Sequence, residues 1–131
     1  NEIDALQKAI QQGLDSVRNS LGQGYHSFDA LKQALGKAGP NMQWHHIVEQ
    51  SKTNFGSMMV NNTSNIIALP KGIHQAISAY YSSVQPFSAQ VGTVRQWLQT
   101  QSFEAQWLFG INAIKQAGGA LYIMFTPLIS S

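Results

Sequence analysis

Two short apolar runs limit the folds open to this chain more than any other feature: MQWHHIV at 42–48 and IIAL at 66–69. The first follows the Gly39-Pro40 break, and the second stops at Pro70, a residue tolerated only at strand ends or edges. Each run is short and bounded by turn-forming residues, the pattern of a strand. Between them lie polar, irregular residues at 49–57, then Met58, Met59 and Val60 as a short strand or turn, then the polar loop NNTSN at 61–65. From Lys71 the apolar period lengthens to that of a helix, through Ile73, Ala76, Ile77 and Tyr80. The predicted unit is strand, polar loop, strand, helix over about 42–83.

Helical patterns flank this unit. Ile3, Leu6, Ile10, Leu14, Val17 and Leu21 recur at three- and four-residue steps and predict an amphipathic leader helix, ended by Gly22 and Gly24. Ser27 is a candidate N-cap for a helix carrying Phe28, Leu31 and Leu35. After Pro86, a helix is expected over 91–100 with Val94, Trp97 and Leu98. Ser102 then caps another, with Phe103, Trp107, Leu108, Ile111 and Ile114 facing inward. The tail ALYIMFTPLI is expected to pack on the core as a strand or extended segment. These patterns predict an α+β fold, mostly helical, with a leader over 1–24 and one domain over 25–131. The start at Asn1 is that expected of a fragment from a longer protein.

Composition narrows the function classes. The chain has 131 residues, enough for one real core. It has no cysteine, so disulfides and thiolate zinc sites are excluded. Net charge is +2. The excess lies after His45, where Lys52, Lys71, Arg95 and Lys115 face only Glu49 and Glu104. Such a balance tolerates a polyanionic partner without demanding one. The run ALYIMF at 120–125 is too short to cross a bilayer, and no membrane insertion is expected.

Chemistry concentrates in the central unit. Three of the four histidines, His45, His46 and His74, fall there. Neighbours on a strand point to opposite faces, so one of His45 and His46 is directed toward the helix carrying His74 and the other away. Neutral imidazole is both a divalent-metal ligand and a general base near working pH, and an adjacent pair offers one residue for each task. Asn65 opens the second strand, and His74 stands nine positions beyond it.

HHIVEQ followed by NIIALPKGIH resembles the HNH, or ββα-metal, nuclease motif. Trp44-His45-His46 is similar to the signature of the WHH and AHH toxin nucleases at the C-termini of Rhs and related polymorphic toxins. The flanks NNTSNIIALP, IHQAISAYYSS and VRQWLQTQSFEAQWLFGI extend the likeness from Phe28 to Lys115. The resemblance implies a small ββα-metal hairpin-plus-helix core surrounded by helices. It implies His45 and His74 as metal ligands, His46 as the base that activates water, and Asn65 as the residue that ties the loop and holds His46. Where many members carry a third ligand, one helical turn after the last His, this chain has Ser78, a poor ligand. Glu49 is the only nearby acid, suited to a water-mediated contact with the metal or to a solvated surface position. The paired Cys-x-x-Cys staples of many HNH proteins are missing, so helix packing has to support the site.

The implied activity is metal-dependent phosphodiester hydrolysis by an endonuclease toxin, acting on DNA without sequence specificity, with RNA as the alternative substrate. One divalent ion (Mg, Mn, Ni or Zn) is the implied cofactor. A cognate immunity protein and a parent Rhs-like delivery protein are the implied partners. The implied route is secretion from a bacterium and action in a recipient's cytoplasm. Lys52, Lys71 and Arg95 are the candidate phosphate contacts. Trp44, Tyr80, Tyr81, Trp97 and Trp107 are expected to pack. The competing readings are a non-enzymatic domain whose histidines bind metal or merely pack, and a membrane-active toxin.

Overall fold

The computed structural model describes residues 2–3, 5–6, 22–51 and 55–118. Most of the predicted leader stripe, Lys52 and Asn54, and the apolar tail from residue 119 lie outside the described residues. Of that stripe, Ile3 and Leu6 are described, and both are exposed.

Helix α1 spans Phe28–Leu35 and starts where Ser27 accepts a hydrogen bond from the Ala30 amide, the predicted cap. Leu31 is fully buried, whereas Leu35 is partly exposed. Strand β1 is Met42–His46 and strand β2 is Ile66–Pro70. They pair antiparallel with Met42 opposite Pro70 and His46 opposite Ile66. Pro70 thus takes the last paired position, where its missing N–H costs no ladder bond.

The connection between the strands is ordered by its own polar groups. Ser57–Val60 forms a single helical turn, α2, rather than a strand, and Thr63–Asn65 forms a 3₁₀ turn. The Asn62 side chain accepts from the Ser64 amide and caps that turn. Local side-chain bonds of this kind compete with strand pairing, so the Met-Met-Val run coils instead of extending. Residues 23–25 bond to this loop through Gln23, whose carbonyl accepts from the Thr63 amide, and Tyr25, whose amide donates to the Asn61 carbonyl.

Helix α3, Lys71–Tyr81, follows β2 with no intervening loop. Helix α4 is Val94–Leu98, shorter than predicted, with a full Thr93/Gln96 capping box. Helix α5, Phe103–Gln116, begins at Ser102 as predicted. Leu108, expected to face inward, is half exposed; Phe103, Trp107, Ile111 and Ile114 are buried. These four sit in the buried face at three- and four-residue steps, and Leu108 falls outside that stripe.

The fold is a small α+β arrangement: a two-stranded antiparallel hairpin backed by helices. The core joins Ile47 and Val48, just after β1, to Ile67 and Leu69 of β2, Ile77 and Tyr81 of α3, and the inner faces of α4 and α5. Gly110 lets α5 approach closely. A Cβ there would lie 2.5 Å from the Ile47 carbonyl oxygen. The backbone leaving the histidine pair is therefore braced directly against α5. Among the aromatic residues expected to pack, Tyr81 and Trp107 are buried, Trp44 and Trp97 are half-buried, and Tyr80 is on the surface.

Candidate active site

The missing loop between β2 and α3 positions the histidines. Pro70 sets the turn into the helix, so His74 falls in its first turns and lies beneath β1. His45 Nδ1 and His74 Nδ1 come within 3.0 Å. Their rings meet edge to face at a centroid distance of 5.2 Å. His46, on the other face of the strand, bonds through Nε2 to Oδ1 of Asn61 at 2.9 Å. An amide oxygen accepts, so His46 donates from Nε2, and in the neutral ring the lone pair stays on Nδ1. The rings of Phe28, from α1, and His46 meet edge to face with their centroids 4.6 Å apart.

Both strand histidines are buried, 4% and 9% exposed, and burial sets their protonation. Desolvation, then the His74 and His46 imidazoles, pushes His45 down to about 3. Desolvation also holds His46 below its ordinary value, against the opposing pull of Asn61 and Glu49. At neutral pH both rings are uncharged and keep a lone pair.

Asn65 is fully buried, and its side chain ties the loop at the backbone. Its Oδ1 accepts from the Val48 amide at 2.8 Å, and its Nδ2 donates to the carbonyls of Val48 and Val60. Its own carbonyl accepts from the Ile47 amide. Asn65 therefore fixes the two residues after His46, while Asn61 holds the imidazole. In the sequence Asn61 reads as one of several loop amides, because nothing local marks which of them meets the strand.

The three histidines share a cleft of about 300 Å³ with Phe28, Trp44, Glu49, Gln50 and Arg95. Glu49 neither stands free in solvent nor meets the histidines in a hydrogen bond. It pairs with Arg95, whose Nε donates to Oε1 at 2.7 Å and Nη2 to Oε2 at 2.9 Å. The remaining Nη1 donates to Ser82. Arg95 thus reaches the cleft with its charge matched by Glu49. Ser78 is exposed on α3 and Lys71 is exposed at its start; neither lines the cleft.

Among the described residues no group of three or more His, Asp or Glu side chains forms a metal site. The His45–His74 pair nevertheless fits two ligand positions. Two nitrogens bound at ~2.1 Å to one ion stand roughly 3.0 Å apart at a right angle and roughly 3.4 Å apart at the tetrahedral angle. The observed 3.0 Å is that of a hydrogen bond between the two rings, one Nδ1 donating to the other, and it also suits two ligands at a right angle on one ion. The buried Nε2 of His45 has no hydrogen-bond partner, so the outer support that usually orients a ligating imidazole is missing on that side. No model of a known protein family matches the chain. No characterised protein and no solved structure matches it either.

Proposed function

We propose that the chain is a metal-dependent endonuclease that hydrolyses phosphodiester bonds, with a core of the ββα-metal type. One observation carries this reading: the His45 and His74 imidazoles converge at 3.0 Å beside a third that is buried and oriented in the same cleft. The order β1, β2, α3, with one histidine pair on the first strand and His74 on the helix, supports the motif resemblance.

The geometry supports a division of roles. His45 and His74 would hold the ion through their converging Nδ1 atoms. When bound, a divalent ion supplies Lewis-acid stabilisation of the phosphate and the leaving oxygen. His46 takes a proton from the attacking water on Nδ1, and Asn61 holds the ring by its Nε2–H. A base so placed contributes about 10²- to 10⁴-fold. Asn65 sets the backbone that carries it. Arg95 meets the phosphate only by sharing its guanidinium with Glu49, which biases it toward orientation over charge neutralisation. DNA is the expected substrate, delivery as the tail of a larger bacterial toxin the expected context, and an immunity protein the expected partner; these rest on the resemblance.

The test is incubation of the purified chain with supercoiled plasmid and, separately, with total RNA. Mg²⁺, Mn²⁺, Ni²⁺, Zn²⁺ and EDTA are compared, beside His46→Ala. Metal-dependent nicking that His46→Ala abolishes, with folding intact, is the expected result. Cleavage of RNA alone would keep the chemistry and change the target. No cleavage of either under any metal would return the histidines to a structural role.

A further inference from the structure

A second and larger groove, of about 970 Å³, opens between α1 and β1. It shares the side chains of Phe28, Trp44 and His74 with the histidine cleft, so the two adjoin. We propose that this groove is the track for the polynucleotide strand on one side of the scissile bond, with Lys32 and Lys37 as its phosphate contacts. The inference rests on the nuclease reading and adds to it where the strand runs and what holds it.

Charge favours this occupant. Lys32 and Lys37 line the groove, and Asp29 is the one carboxylate that lines it with them. Asp29 pairs with Lys32 at 3.4 Å, but its side chain is 87% exposed, so the pair is weak and a phosphate displaces it at little cost. Among the described residues the Glu49–Arg95 side of the cleft offers no such surplus, because Glu49 already engages Arg95.

Position favours it too. The Lys32 ammonium sits 4.4 Å from the centre of the Phe28 ring, and that ring meets His46 at 4.6 Å. The positive charge therefore lies within about 9 Å of the proposed base, roughly one Debye length at 0.1 M salt. The wall between cleft and groove is Trp44, whose indole N–H donates to the Gly36 carbonyl at 2.9 Å. A ring fixed in this way suits base stacking, which tolerates any sequence. The groove thus joins phosphate contacts and a stacking wall to the reacting centre.

The experiment measures binding of a fluorescent 16-nucleotide single strand and its duplex, in EDTA so that nothing is cut, across a salt series. Lys32→Gln/Lys37→Gln is compared with Lys115→Gln, a change of exposed charge at the end of α5. Circular dichroism checks that each variant folds. Losing two phosphate contacts is expected to flatten the slope of log K against log salt by about 1.5, and the Lys115 change to leave it unaltered. With plasmid, the double variant is expected to raise KM while kcat holds. Equal slopes for the double variant and Lys115→Gln would overturn the track even if the wild-type chain nicks plasmid. Absence of cleavage by the wild-type chain would instead sink the nuclease reading, with the EDTA isotherms still judging the groove.

Discussion

Replacing Asn65 by alanine tests the account of the site at its most constrained point. The side chain is fully buried and makes three hydrogen bonds, of 2.8, 3.0 and 2.9 Å, all to backbone groups. Truncation leaves the Val48 amide and the Val48 and Val60 carbonyls without those bonds. A buried polar group stripped of its partner costs about 1–3 kcal/mol. Three such groups give about 3–9 kcal/mol, the lower end applying if a water enters the space the amide leaves. That is a large share of the roughly 5–15 kcal/mol that holds a domain folded. Urea titration at 25 °C, followed by far-UV circular dichroism, measures it directly. Asn65→Asp sharpens the test. The carboxylate keeps the bond from the Val48 amide but turns its second oxygen toward two carbonyl oxygens. At pH 7 it is expected to be at least as destabilising as alanine. The same repulsion raises the folded-state pKa of the new acid above its unfolded value. Stability relative to Asn65→Ala should therefore recover as pH falls through that raised value, where the protonated acid donates to one carbonyl. A loss below 1 kcal/mol for alanine, or an aspartate variant milder than alanine at pH 7, would refute the claim that Asn65 anchors the backbone behind His46.

Three further outcomes are expected. In EDTA, stability should decline below about pH 6.5: His45 and His46 are both held below 6.5, so the unfolded chain takes up protons that the folded chain refuses. The stabilisation is complete above the unfolded value and is lost as pH falls toward about 3, the folded value of His45, with a slope of at most about 1.4 kcal/mol per pH unit per group; urea midpoints between pH 7.5 and 4.5 check it, and a flat profile would contradict the burial argument. Asn61→Ala should free the His46 ring and slow plasmid nicking by about 10- to 100-fold, with divalent-ion affinity by calorimetry unchanged; a matching loss of ion affinity would mean that Asn61 supports the ligands instead. Gly110→Ala should lower the melting temperature although alanine is the better helix former by about 1 kcal/mol, because its Cβ would press on the Ile47 carbonyl; a rise in melting temperature would show that α5 can shift away at no cost.

The elements of the fold were largely legible in the sequence, because each is announced locally. Ser27 and Ser102 cap the helices they precede, Pro70 ends a strand, and the change of period at Lys71 marks a helix. The run at 58–60 was not legible, since two methionines and a valine suit either state and only the bonds of the surrounding loop decide. The histidines, Asn65 and Arg95 were visible as chemistry-bearing residues at suggestive spacings.

What those residues touch was decided by the tertiary structure alone. Spacing along the chain could assign His45 and His46 to opposite faces, because that follows from the period of a strand. It could not say that His45 would meet His74 at 3.0 Å, which depends on α3 starting directly after Pro70 without a loop. Nor could it pick Asn61 as the partner of His46, or bind Glu49 to Arg95 across 46 positions of chain. Periodicity and capping are short-range forces written residue by residue, whereas a site is made of side chains from distant elements. Their distances are set only when the core around Ile47, Leu69 and Ile114 packs and fixes every backbone at once.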